Sequence, residues 1–190
     1  YASSSPSMSN VTATATGGTY SYGVYNTGSS PSMMNVTATA TGGTFSRGVY
    51  NSLSSSPSMT NVTATATGGT YSYGVRNYSS SPTMTDVTAT ATGGTSTNYG
   101  VYNTLSSPSM TNVTATATDG TINVGVRNYS SSPTIRNSSI TGTTNSIFNR
   151  GGSTAQVADT ALGGGNVAGG GFTCVGAYTT AFVALNAQCN

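Results

Sequence analysis

Apolar residues fall on a fixed grid along this chain. Met8, Met33, Met59, Met84, Met110 and Ile135 make one set, and Val11, Val36, Val62, Val87 and Val113 make a second, three residues further on. Members of a set are 25 or 26 residues apart, a spacing marked also by Pro6, Pro31, Pro57, Pro82, Pro108 and Pro133. A period of this size points to a solenoid. Within each period "TATAT" and "GVYN" alternate strictly and are rich in Thr, Val and Tyr, so both read as strands. The "GG" and "SSSP" stretches read as turns. The extra residues that lengthen a period fall in "NSLSSSP" and "GGTSTNYG", both turns, so the strands keep the length that in-register stacking demands. Each strand is expected to pair with its copy in the next coil. The result is an all-β chain, a parallel β-solenoid of about six coils with nothing helical before Ala155.

A straight strand would put the Met and Val sets on opposite faces. In the last copy, "SPTIRNSSITG", Ile140 stands in the place of Ala13, and Ile135 and Ile140 again have opposite parity. A bend at Asn10, Asn35, Asn61, Asp86, Asn112 and Asn137 reconciles them. Past the bend Val11, Ala13 and Ala15 point inward, and Thr12, Thr14 and Thr16 point outward. The opposite assignment would expose every valine and bury fifteen hydroxyls, each costing roughly 1–3 kcal/mol if unpaired. The Asn set is expected to turn inward at this corner and to bond from coil to coil. It also carries the glycosylation sequon Asn-Val-Thr at Asn10, Asn35, Asn61 and Asn112. The burial expected of the set favours a structural role over a glycan.

A third set, Tyr25, Tyr50, Arg76, Tyr102 and Arg127, is followed by Asn26, Asn51, Asn77, Asn103 and Asn128. With Val24 and its copies inside, this Tyr/Arg column points out. It is read either as a self-stacking ladder or as a surface that meets sugar rings or cations. Tyr20, Phe45, Tyr71 and Ile122 read as core, and Tyr22, Arg47, Tyr73, Tyr99 and Val124 fit either face.

Composition narrows the functions open to such a solenoid. Charged residues make up 4% of 190, against about a quarter in ordinary soluble domains. Five arginines face Asp86, Asp119 and Asp159, and the net charge of +2 is too weak to draw nucleic acid or an anionic membrane. No apolar run reaches the roughly 20 residues of a membrane span. Without histidine there is no base for a serine nucleophile. The carboxylates are not paired as glycosidases require, and no cluster suits calcium or zinc. An enzyme, a cofactor and a metal are therefore not expected, and a monomer suffices. Cys174 and Cys189 suggest a disulfide and a secreted or extracellular protein, with two buried thiols as the alternative. No signal peptide is visible, and Tyr1 stands where Asn26 and Asn51 stand in later copies, so a start in mid-repeat, as a mature or trimmed form, is expected. The division expected is a β-helix over 1–150 and a capping segment over 151–190, with Phe172, Val175, Phe182, Val183 and Leu185 covering the last coil.

The "SPSMTNVTATATGG" copies, with Pro-x-apolar-x-Asn, resemble right-handed parallel β-helix proteins of the pectate-lyase-like class over residues 3–150. That resemblance implies the right-handed fold and little about activity. A second resemblance lies in the Thr-x-Thr ladders, which look like the ice-binding faces of hyperactive antifreeze proteins. The long coils and the near absence of disulfide bracing bring it nearer to bacterial ice-binding solenoids than to the insect forms. It implies an ice-binding site made of Thr12, Thr14, Thr16, Thr37, Thr39, Thr41, Thr63, Thr65, Thr67, Thr88, Thr90, Thr92, Thr114, Thr116 and Thr118, with ice and ordered water as the partner. The residues themselves fit that role. Outward positions lie about 6.5–7 Å apart along a strand and about 4.7–4.9 Å apart between strands, close to oxygen spacings on faces of hexagonal ice. All fifteen are Thr although Ser crowds the turns, and an ordinary exposed strand would mix Thr with Ser, Lys, Gln and Glu. The alternative reading is a secreted or cell-surface adhesive module that meets glycans through the Tyr/Arg column.

Overall fold

A computed structural model describes residues 5–190; Tyr1 lies outside them. Among the described residues there is no helix. The chain is a parallel β-solenoid built on two sheets. A front sheet carries both arms of each bent strand, such as Ser58–Thr67, and a back sheet of six strands runs from Tyr20–Thr27 to Asn145–Arg150. Pairing is parallel and in register: Met59 lies on Met33 and Met84, Val62 on Val36 and Val87, Val75 on Val49 and Val101. The repeat explains this directly, because a slip of one residue would turn the whole apolar set outward.

The core follows the expected sets. Met33, Met59, Met84, Met110, Val36, Val62, Val87, Val113 and the inward alanines from Ala38 to Ala117 are closed to solvent, while Ala13 and Ala15 of the first coil are half-buried. Ile140 stacks on Ala115 and is equally buried. The corner residues Asn10, Asn35, Asn61, Asp86, Asn112 and Asn137 all have φ between 49° and 56°, the left-handed conformation that Asn and Asp tolerate best. That conformation makes the bend.

Two polar columns run through the interior. Asn26, Asn51, Asn77, Asn103 and Asn128 each donate from Nδ2 to the Oδ1 of the next, over 2.8–2.9 Å, and Asn149 ends the line. Ser55, Ser106, Ser131 and Ser153 accept from the backbone N–H of the preceding coil at 3.0 Å and seal the turn. A parallel stack makes such ladders self-consistent, since each coil presents the same donor above and acceptor below.

Coil stacking continues beyond Gly151. Ala155–Ala158 pairs with Thr134–Arg136, and Phe172–Val175 pairs with Ala155–Ala158. The coils shorten, to 22 residues from Ile135 to Val157 and 17 from Val157 to Cys174. Cys174 and Cys189 form a disulfide with Cα atoms 5.5 Å apart. Phe172 and Leu185 are partly buried and pack against the core. Val175, Phe182 and Val183, expected to join them, are 60–86% exposed, because the final segment closes over the core through Ala177 and the two cysteines instead.

Candidate functional site

The front sheet sets the threonines in three columns. Thr12, Thr37, Thr63, Thr88 and Thr114 are paired in register across five coils, as are the columns starting at Thr14 and Thr16. The leading column is exposed throughout; in the middle and trailing columns the residues from the second coil on are half-buried against their own neighbours. Ala38, Ala40, Ala64, Ala66, Ala89, Ala91, Ala115 and Ala117 between them are 0% exposed. All fifteen predicted positions therefore lie on the outer surface of one sheet. Pairing extends the sheet one coil further, through Ser139 opposite Thr114 and Thr141 opposite Thr116, before Ala161 and Gly163 end the hydroxyl columns. Sequence reading missed Thr141, although Ile140 in the place of Ala13 puts Thr141 in the place of Thr14.

A glycine column braces this sheet from behind. Gly48 faces inward, and a β-carbon there would lie 2.6 Å from the Thr65 backbone nitrogen and 2.7 Å from the Gly74 carbonyl oxygen. Gly23, Gly74 and Gly100 meet Thr39, Thr90 and Thr116 in the same way, at 2.6–2.8 Å. The back sheet thus touches the backbone of the middle threonine column directly, with no side chain between. Any larger residue must push the two sheets apart. The glycine opening every "GVYN" or "GVRN" is the signal that could have revealed this contact.

Both margins of the array turn through left-handed residues. Along the leading margin Asn35 donates to Asn10 at 2.9 Å, Asn61 to Asn35 at 2.8 Å, and Asn112 to Asp86 at 3.0 Å. The column bonds from coil to coil as expected, but it is exposed and does not turn inward. The bend throws the corner side chain out of the ring, and the buried ladder is the Asn26 column. Burial therefore gives no argument against the sequons. Along the trailing margin, Gly17, Gly42, Gly68 and Gly93 have φ of 68–78°, and Asp119 takes that place in the fifth coil with φ 63°. Its carboxylate accepts from Thr92 Oγ1 at 2.6 Å and Thr118 Oγ1 at 2.9 Å. These two hydroxyls hold the Asp119 carboxyl below the ordinary carboxylate range.

The back sheet presents aromatics and arginines. Tyr20, Phe45, Tyr71 and Ile122 were expected in the core; they lie outside, with Tyr20 56% and Ile122 43% exposed. Gly23 and Val24 both point inward, and this double step reverses the parity inferred from Val24. The buried residues beside the Tyr20 column are Ser21, Ser46, Ser72, Asn98 and Asn123. The rings stack on one another: Tyr20 on Phe45 at 5.3 Å, Phe45 on Tyr71 at 4.8 Å, and Tyr25 on Tyr50 at 5.1 Å. Arg76 lies 3.9 Å from the Tyr102 ring centre and Arg127 lies 4.2 Å from that of Phe148. Burial pushes the Tyr73 phenol up and the Arg76 guanidinium down. Tyr25 stacks on Tyr50, and Arg76 and Arg127 lie over neighbouring rings, so much of the column packs on itself.

Among the described residues no group of three or more acidic, Cys or His side chains gathers at one place, and no helix is long and apolar enough to cross a membrane. No protein-family model matches the chain, and comparison with the curated proteins finds no match.

Proposed function

We propose that this protein is a secreted, monomeric ice-binding protein that adsorbs to ice through the threonine face of its front sheet. The observation that carries the reading is the in-register, uninterrupted array of fifteen threonines, held against the back sheet by the glycine column. By strand and pleat spacings the array covers about 500 Å². Each threonine offers a methyl group that can hold cage-like water and a hydroxyl that can anchor it. Its β-branch restricts χ1, so the groups are ordered before ice arrives and little side-chain entropy remains to be lost. None of the fifteen positions is charged, which matters because an ion keeps its hydration water and does not fit an ice lattice. The protein is then a binding surface and not an enzyme, and it requires neither cofactor nor metal. The glycan alternative gains no support from rings already stacked on each other.

Ice partition tests the reading. A slowly grown ice hemisphere should take up the protein at a higher share than a non-binding protein of equal size. Exclusion into the unfrozen liquid at the same level as that control would contradict it.

A further inference from the structure

Every aspartate of the chain sits at a turn of the front sheet. Asp86 and Asp159 take left-handed corner places on the leading side, with φ of 54° and 48°, and Asp119 takes the left-handed turn on the trailing side. Only Asp119 reaches the array: it binds the hydroxyl hydrogens of Thr92 and Thr118. Asp86 instead accepts from Asn112. In four of the five coils the Asp119 place is glycine, which has no side chain to reach the trailing column and adopts positive φ freely.

We infer that Asp119 limits the ice-binding surface, by capturing the Thr92 and Thr118 hydroxyls and by keeping a hydrated charge at the trailing edge of the fourth and fifth coils. This rests on the ice-binding reading and deepens it. A hydroxyl whose hydrogen is given to a carboxylate can only accept from lattice water. Asp119 is exposed, and its carboxylate would have to shed or rearrange its own water when the plane docks. The uncharged rows of the first three coils, together with the leading and middle columns of the last two, form the working surface. Asp119 weakens the rest.

Three variants test this by thermal hysteresis, with a melting curve for each. Asp119→Gly restores the turn of the other coils and should widen the hysteresis gap at equal concentration, with melting temperature unchanged or raised. Asp119→Asn removes the charge while keeping an acceptor near the hydroxyls, and should fall between Gly and wild type. Asp86→Asn removes an equal charge that holds no threonine and should widen the gap less than either. A wild-type gap that Asp119→Gly leaves unchanged or narrows would overturn the inference alone, as would an equal gain from Asp86→Asn, since a charge at either margin, and not the place of Asp119 against the trailing threonines, would then be at work. No gap in the wild type would remove the ice-binding reading itself.

Discussion

The residues on which the threonine face depends most are not threonines. Gly74 stands with its inner side 2.6 Å from the Gly100 carbonyl oxygen and 2.7 Å from the Thr90 nitrogen, measured from where a β-carbon would be. Gly74→Ala adds one methyl group between two backbones that have nowhere to go. The expected cost is about 1–3 kcal/mol of stability, as for other overpacked cores. Chemical denaturation should show it as a lower midpoint; an unchanged midpoint would mean that the sheets separate freely and do not brace the face. Asn77 makes the complementary case. It accepts from Asn51 and donates to Asn103 in a buried line. Asn77→Ala strands an amide below and a carbonyl oxygen above, at roughly 1–3 kcal/mol each, so it should lower the midpoint at least as much as Gly74→Ala.

At the scale of the strand and coil, most of the architecture was legible in the chain because the repeat states each position several times. Met, Val and Ala columns, the bend at Asn and the placement of length changes in turns all follow from parity and from a single stacking rule. The extra residue before Pro57 indeed lies between the pairs Thr27–Ser52 and Ser32–Ser58. Parity failed where a local conformation breaks it. Two successive inward residues, Gly23 and Val24, turn Tyr20 and Tyr22 to the outside, and a left-handed corner turns Asn35 out although the chain bends around it. Both events recur in every coil, but neither follows the two-residue alternation of a strand. Both would have been readable only from the glycine and asparagine acting as backbone devices instead of as members of a pattern. Coil autonomy leads to a prediction. Duplicating residues 62–86 inserts one whole coil, since Val62 pairs with Val87. The longer chain should fold with the same β-sheet circular dichroism and give a wider hysteresis gap than the parent at equal molar concentration. A folded product with the same or a narrower gap would detach activity from the length of the array.

Across the whole molecule, charge stays off the threonine array. The three aspartates sit at turns of the front sheet and Arg136 ends its Thr134–Arg136 strand, while Arg47, Arg76 and Arg127 lie on the back sheet among stacked rings. The array between the margins stays neutral. The C-terminal end is closed by Cys174 and Cys189, whose 15-residue separation corresponds to about 3 kcal/mol in the chain-entropy description of a disulfide. Cys174→Ser should therefore lower the melting temperature while leaving the gap unchanged below it, because the Ser139–Gly142 strand lies between the array and the C-terminal segment. A gap lost together with the disulfide in a still-folded chain would show that the end of the solenoid takes part in binding. The central claim concerns the face itself and is tested most directly at its middle. Thr65 occupies the middle column of the third coil, over the Gly48 contact. The measurement is thermal hysteresis of Thr65→Tyr beside Tyr25→Thr on the back sheet, with far-UV circular dichroism of both. A ring at residue 65 holds the plane away from ice, so Thr65→Tyr should lose most of the gap while remaining folded, and Tyr25→Thr should keep it. A folded Thr65→Tyr with the full gap, or a loss confined to Tyr25→Thr, would contradict a binding surface made of these threonines.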